Sequence, residues 1–165
     1  MTRHLILLAL AAVSATLLAA TSAAASGRTL VGLRTTALGT VLVDGNGHTL
    51  YLFEKDRNGV SACKTACAQY WPALTSHGTP RAGSGVQQSL LRIGRADQVL
   101  YAGHPLYTFA GDKSAGQTSG EGLTNFGAGW YALAASGRKV EPSKTPGGSS
   151  STGGYSSSYS SSGGY

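Results

Sequence analysis

From Thr40 to Phe53 the chain alternates in the manner of extended strands. Thr40-Val41-Leu42-Val43 is rich in β-formers, Asp44-Gly45-Asn46-Gly47 interrupts it, and His48 to Phe53 resumes it. Successive side chains of a strand point to opposite faces, so His48, Leu50 and Leu52 share one side while Thr49, Tyr51 and Phe53 share the other. Large side chains on both sides predict a strand covered on both faces. The Asp-Gly and Asn-Gly pairs accept positive φ, which predicts a turn and hence a hairpin. The pattern returns as Gln98-Val99-Leu100-Tyr101, a turn at Ala102-Gly103, and His104 to Phe109. Pro105 cannot donate to a ladder and marks an edge position or a strand start.

These two stretches are copies of one another. Gly47-His48-Thr49-Leu50-Tyr51-Leu52-Phe53-Glu54-Lys55-Asp56 aligns with Gly103-His104-Pro105-Leu106-Tyr107-Thr108-Phe109-Ala110-Gly111-Asp112 at a constant offset, with Gly, His, Leu, Tyr, Phe and Asp identical. A basic residue, Arg57 or Lys113, follows each Asp. Further on, Trp71-Pro72-Ala73-Leu74 aligns with Trp130-Tyr131-Ala132-Leu133 at an offset three residues longer, which implies a three-residue insertion in the second copy. One segment departs from the strand pattern. Ser61 to Tyr70 is rich in helix formers, has Ser61 as a candidate N-cap and stops before Pro72, predicting a single short helix. The fold class expected is therefore all-β: a small antiparallel domain of two pseudo-repeats, with one short helix around Cys63 and Cys67.

The ends have a different character. Met1-Thr-Arg-His4 followed by the apolar run Leu5–Ala20 and the small residues Ala23 and Ala25 reads as a signal peptide over residues 1–25, with Ser26 as the expected mature start. A spanning anchor needs about 20 apolar residues, and no cysteine follows the run to carry a lipid, so no stable membrane anchor is expected. Residues 141–165 are dominated by Gly, Ser, Thr and Tyr and offer no aliphatic core, which predicts a disordered tail. Residues 26–140 remain as one domain of about 115 residues, an ordinary domain size.

The chain carries 13 Lys plus Arg against 7 Asp plus Glu, net +6. These charges are scattered singly, which gives no support for specific nucleic-acid binding. They permit a weak attraction to anionic envelope polymers. Cys63 and Cys67 are the only cysteines, and in an exported chain a disulfide between them is the default.

Laid out together, Tyr51-x-Phe53-x-x-Asp56, Tyr107-x-Phe109-x-x-Asp112, Ser61-x-Cys63-x-x-x-Cys67 and Trp71-Pro72 resemble the bacterial secreted-repeat family, also described as lipoproteins with a Y-x-[FWY]-x-x-D motif. The resemblance runs from about Gly39 to Leu133. It implies an exported bacterial protein and the two-repeat architecture, and it brings no reaction with it.

Candidate chemistry is sparse. A helical i, i+4 spacing would put the Cys63 and Cys67 sulfurs on one face; apart from a disulfide, such a pair suits Cu(I) or electron exchange. His48 and His104 occupy equivalent positions and would approach one another if the copies packed about a twofold axis, giving a second weak metal candidate, with His77 a third. Asp56 and Asp112 are read first as turn carboxylates that accept backbone N–H groups. Tyr51, Phe53, Tyr107, Phe109, Trp71 and Trp130 are read as core, and a face of them left exposed would stack on a sugar or a peptide. Asp44-Gly-Asn-Gly-His begins like a calcium loop, but Thr49 and Lys55 stand where the loop needs Gly and Glu. No catalytic residue is assigned. The function expected is a non-enzymatic binding or structural module outside the cell or in its envelope, its partner an envelope polymer or protein and its cofactors none. An extracytoplasmic redox or copper-handling protein using Cys63 and Cys67 is the alternative.

Overall fold

The computed structural model describes residues 27–140; the signal-peptide and tail readings lie outside the described residues. In chain order the elements are β1 (Leu30–Thr36), β2 (Gly39–Asp44), β3 (Tyr51–Phe53), α1 (Ala66–Tyr70), β4 (Arg81–Ala82), β5 (Leu91–Ile93), β6 (Val99–Tyr101), β7 (His104–Pro105), β8 (Thr124–Asn125) and β9 (Ala128–Ala132). They form three small sheets ordered β2-β1-β4, β3-β9-β8 and β5-β6-β7. All pairings are antiparallel except β1 with β4.

The two hairpins form as expected, by different turns. In the second, Ala102 (φ 50°) and Gly103 (φ 85°) both sit in the left-handed region, as a tight two-residue hairpin turn requires. In the first, only Gly47 (φ 85°) does. There the Asp44 carboxylate replaces the expected Asp-Gly and Asn-Gly geometry by accepting the N–H groups of Asn46 and His48, each at 2.9 Å. Pro105 lies in the edge strand β7.

The repeats are not self-contained, because each hairpin is completed by the other copy. In the first, Leu50 N–H donates to Leu42 O (2.9 Å), Leu42 N–H to Leu133 O (2.7 Å) and Leu133 N–H back to Leu50 O (3.2 Å). In the second, Leu106 N–H donates to Val99 O (2.9 Å), Val99 N–H to Leu74 O (2.8 Å) and Leu74 N–H to Leu106 O (2.9 Å). The Trp-x-Ala-Leu segment of each repeat is thus inserted beside the hairpin of its neighbour. Tyr131 lies in the regular strand β9, against β3. Its counterpart Pro72 accepts from Thr108 N–H at 3.0 Å but has no N–H to return. The corresponding ladder is accordingly reduced to isolated bridges.

Strand alternation sorts the buried side chains into two cores. Leu42, Leu50, Leu52, Leu91, Val99, Leu106 and Leu133 share an aliphatic cluster. Tyr51, Phe53, Tyr107, Trp71 and Trp130 share an aromatic one with Cys63 and Cys67. Leu50 to Phe53 are all buried, so this strand is covered on both faces.

The helix is shorter than the composition suggests. Ser61 Oγ accepts Cys63 N–H at 3.1 Å and donates to Cys63 O, a local turn that competes with helical bonding. Thr65 then takes φ 43°, and the helix begins only at Ala66. Cys63 therefore precedes α1 and Cys67 lies in it, and the two form a disulfide with a Cα–Cα distance of 5.2 Å.

Candidate functional site

The repeated motif is a device for joining the copies. Each Phe-x-x-Asp closes as a turn in which the Asp N–H donates to the Phe carbonyl, from Asp56 to Phe53 and from Asp112 to Phe109, both at 3.0 Å. The Asp carboxylates then look both ways. Asp56 accepts Ala62 N–H (2.7 Å) from its own repeat and the Tyr107 hydroxyl (2.8 Å) from the other. Asp112 accepts Ser119 N–H (2.8 Å) and the Tyr51 hydroxyl (2.6 Å). Burial pushes both phenols well above their ordinary value, and the facing carboxylates push them further. Burial also raises the Asp56 carboxyl, against the opposing pull of Ala62 N–H, Tyr107 and His104.

The motif aromatics cross over in the same way. Phe53, Trp130, Trp71 and Phe109 form a column with successive centroid distances of 4.0, 3.8 and 4.4 Å. Each Phe stacks on the other repeat's Trp. Tyr51 and Tyr107 meet Trp71 and Trp130 edge-on at 5.4 and 5.1 Å. Gly120 lies over this cluster, where an added Cβ would come within 2.9 Å of both Trp71 and Tyr51. Phe53 and both Trp residues are buried, while Phe109 is only half-buried at the end of the column. The column is therefore core, and the stacking surface considered from the sequence does not lie on these rings. Among the described residues the exposed aromatics are Tyr70 and Phe126, their ring centroids 6.0 Å apart. Neither belongs to the repeat motif that directed attention to the others.

The histidines part company. Tyr51 and Tyr107 pair antiparallel at an isolated bridge, so the chain runs from it toward His48 and toward His104 in opposite directions. His48 Nδ1 lies 3.4 Å from Asp44 Oδ2. His77 is exposed and donates its backbone N–H to Gly27 O, away from the cysteines. Among the described residues no three His, Cys, Asp or Glu side chains gather as a metal-holding group.

His104 instead borders a cleft. Two hollows of about 360 and 490 Å³ share Asp56, Arg57 and His104 as lining. The first is walled by Leu100, Ala102 and Pro105. The second reaches Phe53 and the Glu54–Lys139 ion pair, 3.3 Å apart. The cleft lies where the turn after the first motif faces the hairpin of the second. At the related place in the other half, the loop after Asp112 closes onto the first hairpin. Gly116 N–H donates to Gly47 O (2.9 Å) and the Thr49 hydroxyl to Gln117 O (2.6 Å), and Gly47 is buried. That loop is one residue longer between its Asp and the N–H the Asp holds. The shorter loop folds back as a tight turn, with Arg57 and Val60 exchanging backbone bonds. Sequence comparison of the copies shows Arg57 as the basic residue after the motif, but gives no sign that a cleft opens beside it.

Two interlocked copies of a Gly-His-x-Leu-Tyr-x-Phe-x-x-Asp unit, tied through reciprocal Tyr–Asp bonds, define a duplicated β-repeat domain. The chain belongs to the family described as a secreted repeat of unknown function, which it matches twice, over residues 32–75 and 96–134. It is accordingly a secreted or cell-envelope protein; among the described residues no helix is long and apolar enough to cross a membrane. No curated protein and no solved structure matches it.

Proposed function

We propose that this exported protein is a non-enzymatic binding module and that its ligand sits in the Asp56–Arg57–His104 cleft. The observation that carries this reading is the broken symmetry of the domain: the motif Tyr and Asp are engaged alike in both halves, yet a cleft opens beside Arg57 and His104 in the first, while in the second the loop after Asp112 is bonded to the hairpin at Gly47 and Thr49. The motif carboxylates and phenols are occupied with each other, which suits an architectural role better than a reacting one. The cleft is of a size that holds a small molecule or the end of a polymer, and its lining mixes apolar walls with a few charged groups.

The test is a titration of isotope-labelled mature protein with soluble envelope fragments, followed by backbone amide shifts. The expected shifts cluster at residues 56–59 and 102–104 and vanish in His104→Ala. Mass spectrometry of the recovered fragments is expected to show them unchanged. Shifts confined to other surfaces would overturn the placement, and chemical turnover would overturn the non-enzymatic reading.

A further inference from the structure

We infer that the cleft recognises an oxyanion group, a carboxylate or a phosphate, carried on a small apolar body. The inference rests on the reading of the cleft as a ligand site and adds the chemistry of what it holds.

Most polar groups of the cleft are already engaged within the protein. Both Asp56 oxygens accept bonds, from Ala62 N–H and from the Tyr107 hydroxyl. Glu54 is paired with Lys139. The acidic groups are thus matched within the protein. The Arg57 guanidinium is held at one corner only: Nη1 donates to the carbonyls of Glu54 and Asp56. Those two bonds use both protons of Nη1 and fix the plane of the group. Its Nε–Nη2 edge keeps parallel N–H donors, the geometry that grips two oxygens of one carboxylate or phosphate. His104 and Asn58 line the same hollow and add further donors. The opposite wall of Leu100, Ala102 and Pro105 offers a ligand's remainder only apolar contact.

The other repeat shows the same parts arranged without this capacity. Lys113, the counterpart of Arg57, donates from Nζ to Ala110 O, and an ammonium has no fork to offer. His48, the counterpart of His104, faces the Asp44 carboxylate. In the second hairpin the residue at Asp44's place is Tyr101, whose hydroxyl donates to Ala135 O. His104 therefore has no hairpin carboxylate beside it; the carboxylate near it is Asp56, both of whose oxygens already accept hydrogen bonds.

The experiment titrates the full mature chain with three probes: acetylated dialanine with a free C-terminal carboxylate, the same peptide as its C-terminal amide, and glycerol 3-phosphate. The acid is expected to bind about tenfold or more tightly than the amide, as loss of a charge-assisted pair implies. Arg57→Lys, which keeps the charge and removes the fork, should erase most of that difference, while Lys113→Ala should leave it intact. Tighter binding of the phosphate than of the acid supports the inference and identifies phosphate as the source of the oxyanion. Equal binding of acid and amide with no phosphate binding at the cleft, or no shift at the cleft with any probe, overturns it. In the second case, cleft shifts with envelope fragments would leave the binding-module reading standing, so the two claims fail separately. Melting temperatures of both variants, expected near that of the parent, separate lost recognition from lost folding.

Discussion

Tyr51 and Tyr107, equivalent residues of the two repeats, are backbone partners: Tyr51 N–H donates to Tyr107 O at 2.9 Å and Tyr107 N–H to Tyr51 O at 3.1 Å. Their hydroxyls reach from each copy to the aspartate of the other, Tyr51 to Asp112 and Tyr107 to Asp56. The Tyr–Asp and Phe–Trp contacts between the copies each occur twice. A repeat on its own leaves its Tyr hydroxyl, its Phe ring and one edge of its hairpin without partners.

Residues 27–86 and 87–140, produced as separate chains, should therefore each lack fixed tertiary structure. Mixed in equal amounts, they should regain the near-ultraviolet circular dichroism that the stacked Trp71 and Trp130 give the intact domain. A native-like signal from either half alone would show that the exchange of strands is dispensable.

Phe53→Ala should cost about 3 to 5 kcal/mol, because a buried ring stacked on Trp130 would leave a cavity. Phe109→Ala should cost roughly half as much, since its half-buried ring ends the column and solvent can fill part of the gap. Denaturant unfolding of the two variants measures the difference; equal losses would contradict the unequal burial of the column's two ends.

The disulfide closes only a short loop, so the chain-entropy account gives it about 2 kcal/mol. Both sulfurs nevertheless lie in the aromatic core. A Cys63→Ser, Cys67→Ser variant should lose at least that amount, because two hydroxyls would replace buried sulfur. Cys63→Ala, Cys67→Ala should stay nearer the entropic figure. Chemical denaturation of the two pairs tests the ordering.

Stability should fall as pH rises, in two separable steps. The folded Asp56 carboxyl lies above its ordinary value because it is buried. The folded state then holds that proton more tightly than the unfolded chain, so this contribution is present below the unfolded value near 4 and is lost as pH rises through the folded one. Asp56→Asn should flatten that part of the profile. Tyr51 and Tyr107 are raised as well, so their contribution holds below the unfolded value near 10 and is lost above it. Melting temperatures across the alkaline range should drop less steeply in Tyr51→Phe and Tyr107→Phe than in the parent.

The amino-acid sequence by itself determined the duplication, the two-faced strand and the pairing of the only two thiols. These follow from local rules: alternation assigns Leu50 and Leu52 to one face and Tyr51 and Phe53 to the other, and two cysteines in an exported chain have only each other. Tertiary structure alone decided which copy each side chain meets. Periodicity specifies a face and carries no information about the partner on it, so Tyr51 with Asp112 and Phe53 with Trp130 could not be distinguished beforehand from Tyr51 with Asp56 and Phe53 with Trp71. The same holds for the short helix, where composition favoured a start at Ser61 and the turn around Cys63 delayed it to Ala66. The cleft is the furthest from the sequence. It lies between the turn closed by Arg57 and Val60 and the second hairpin, and the space between a loop and a hairpin brought together by folding is written in no local pattern.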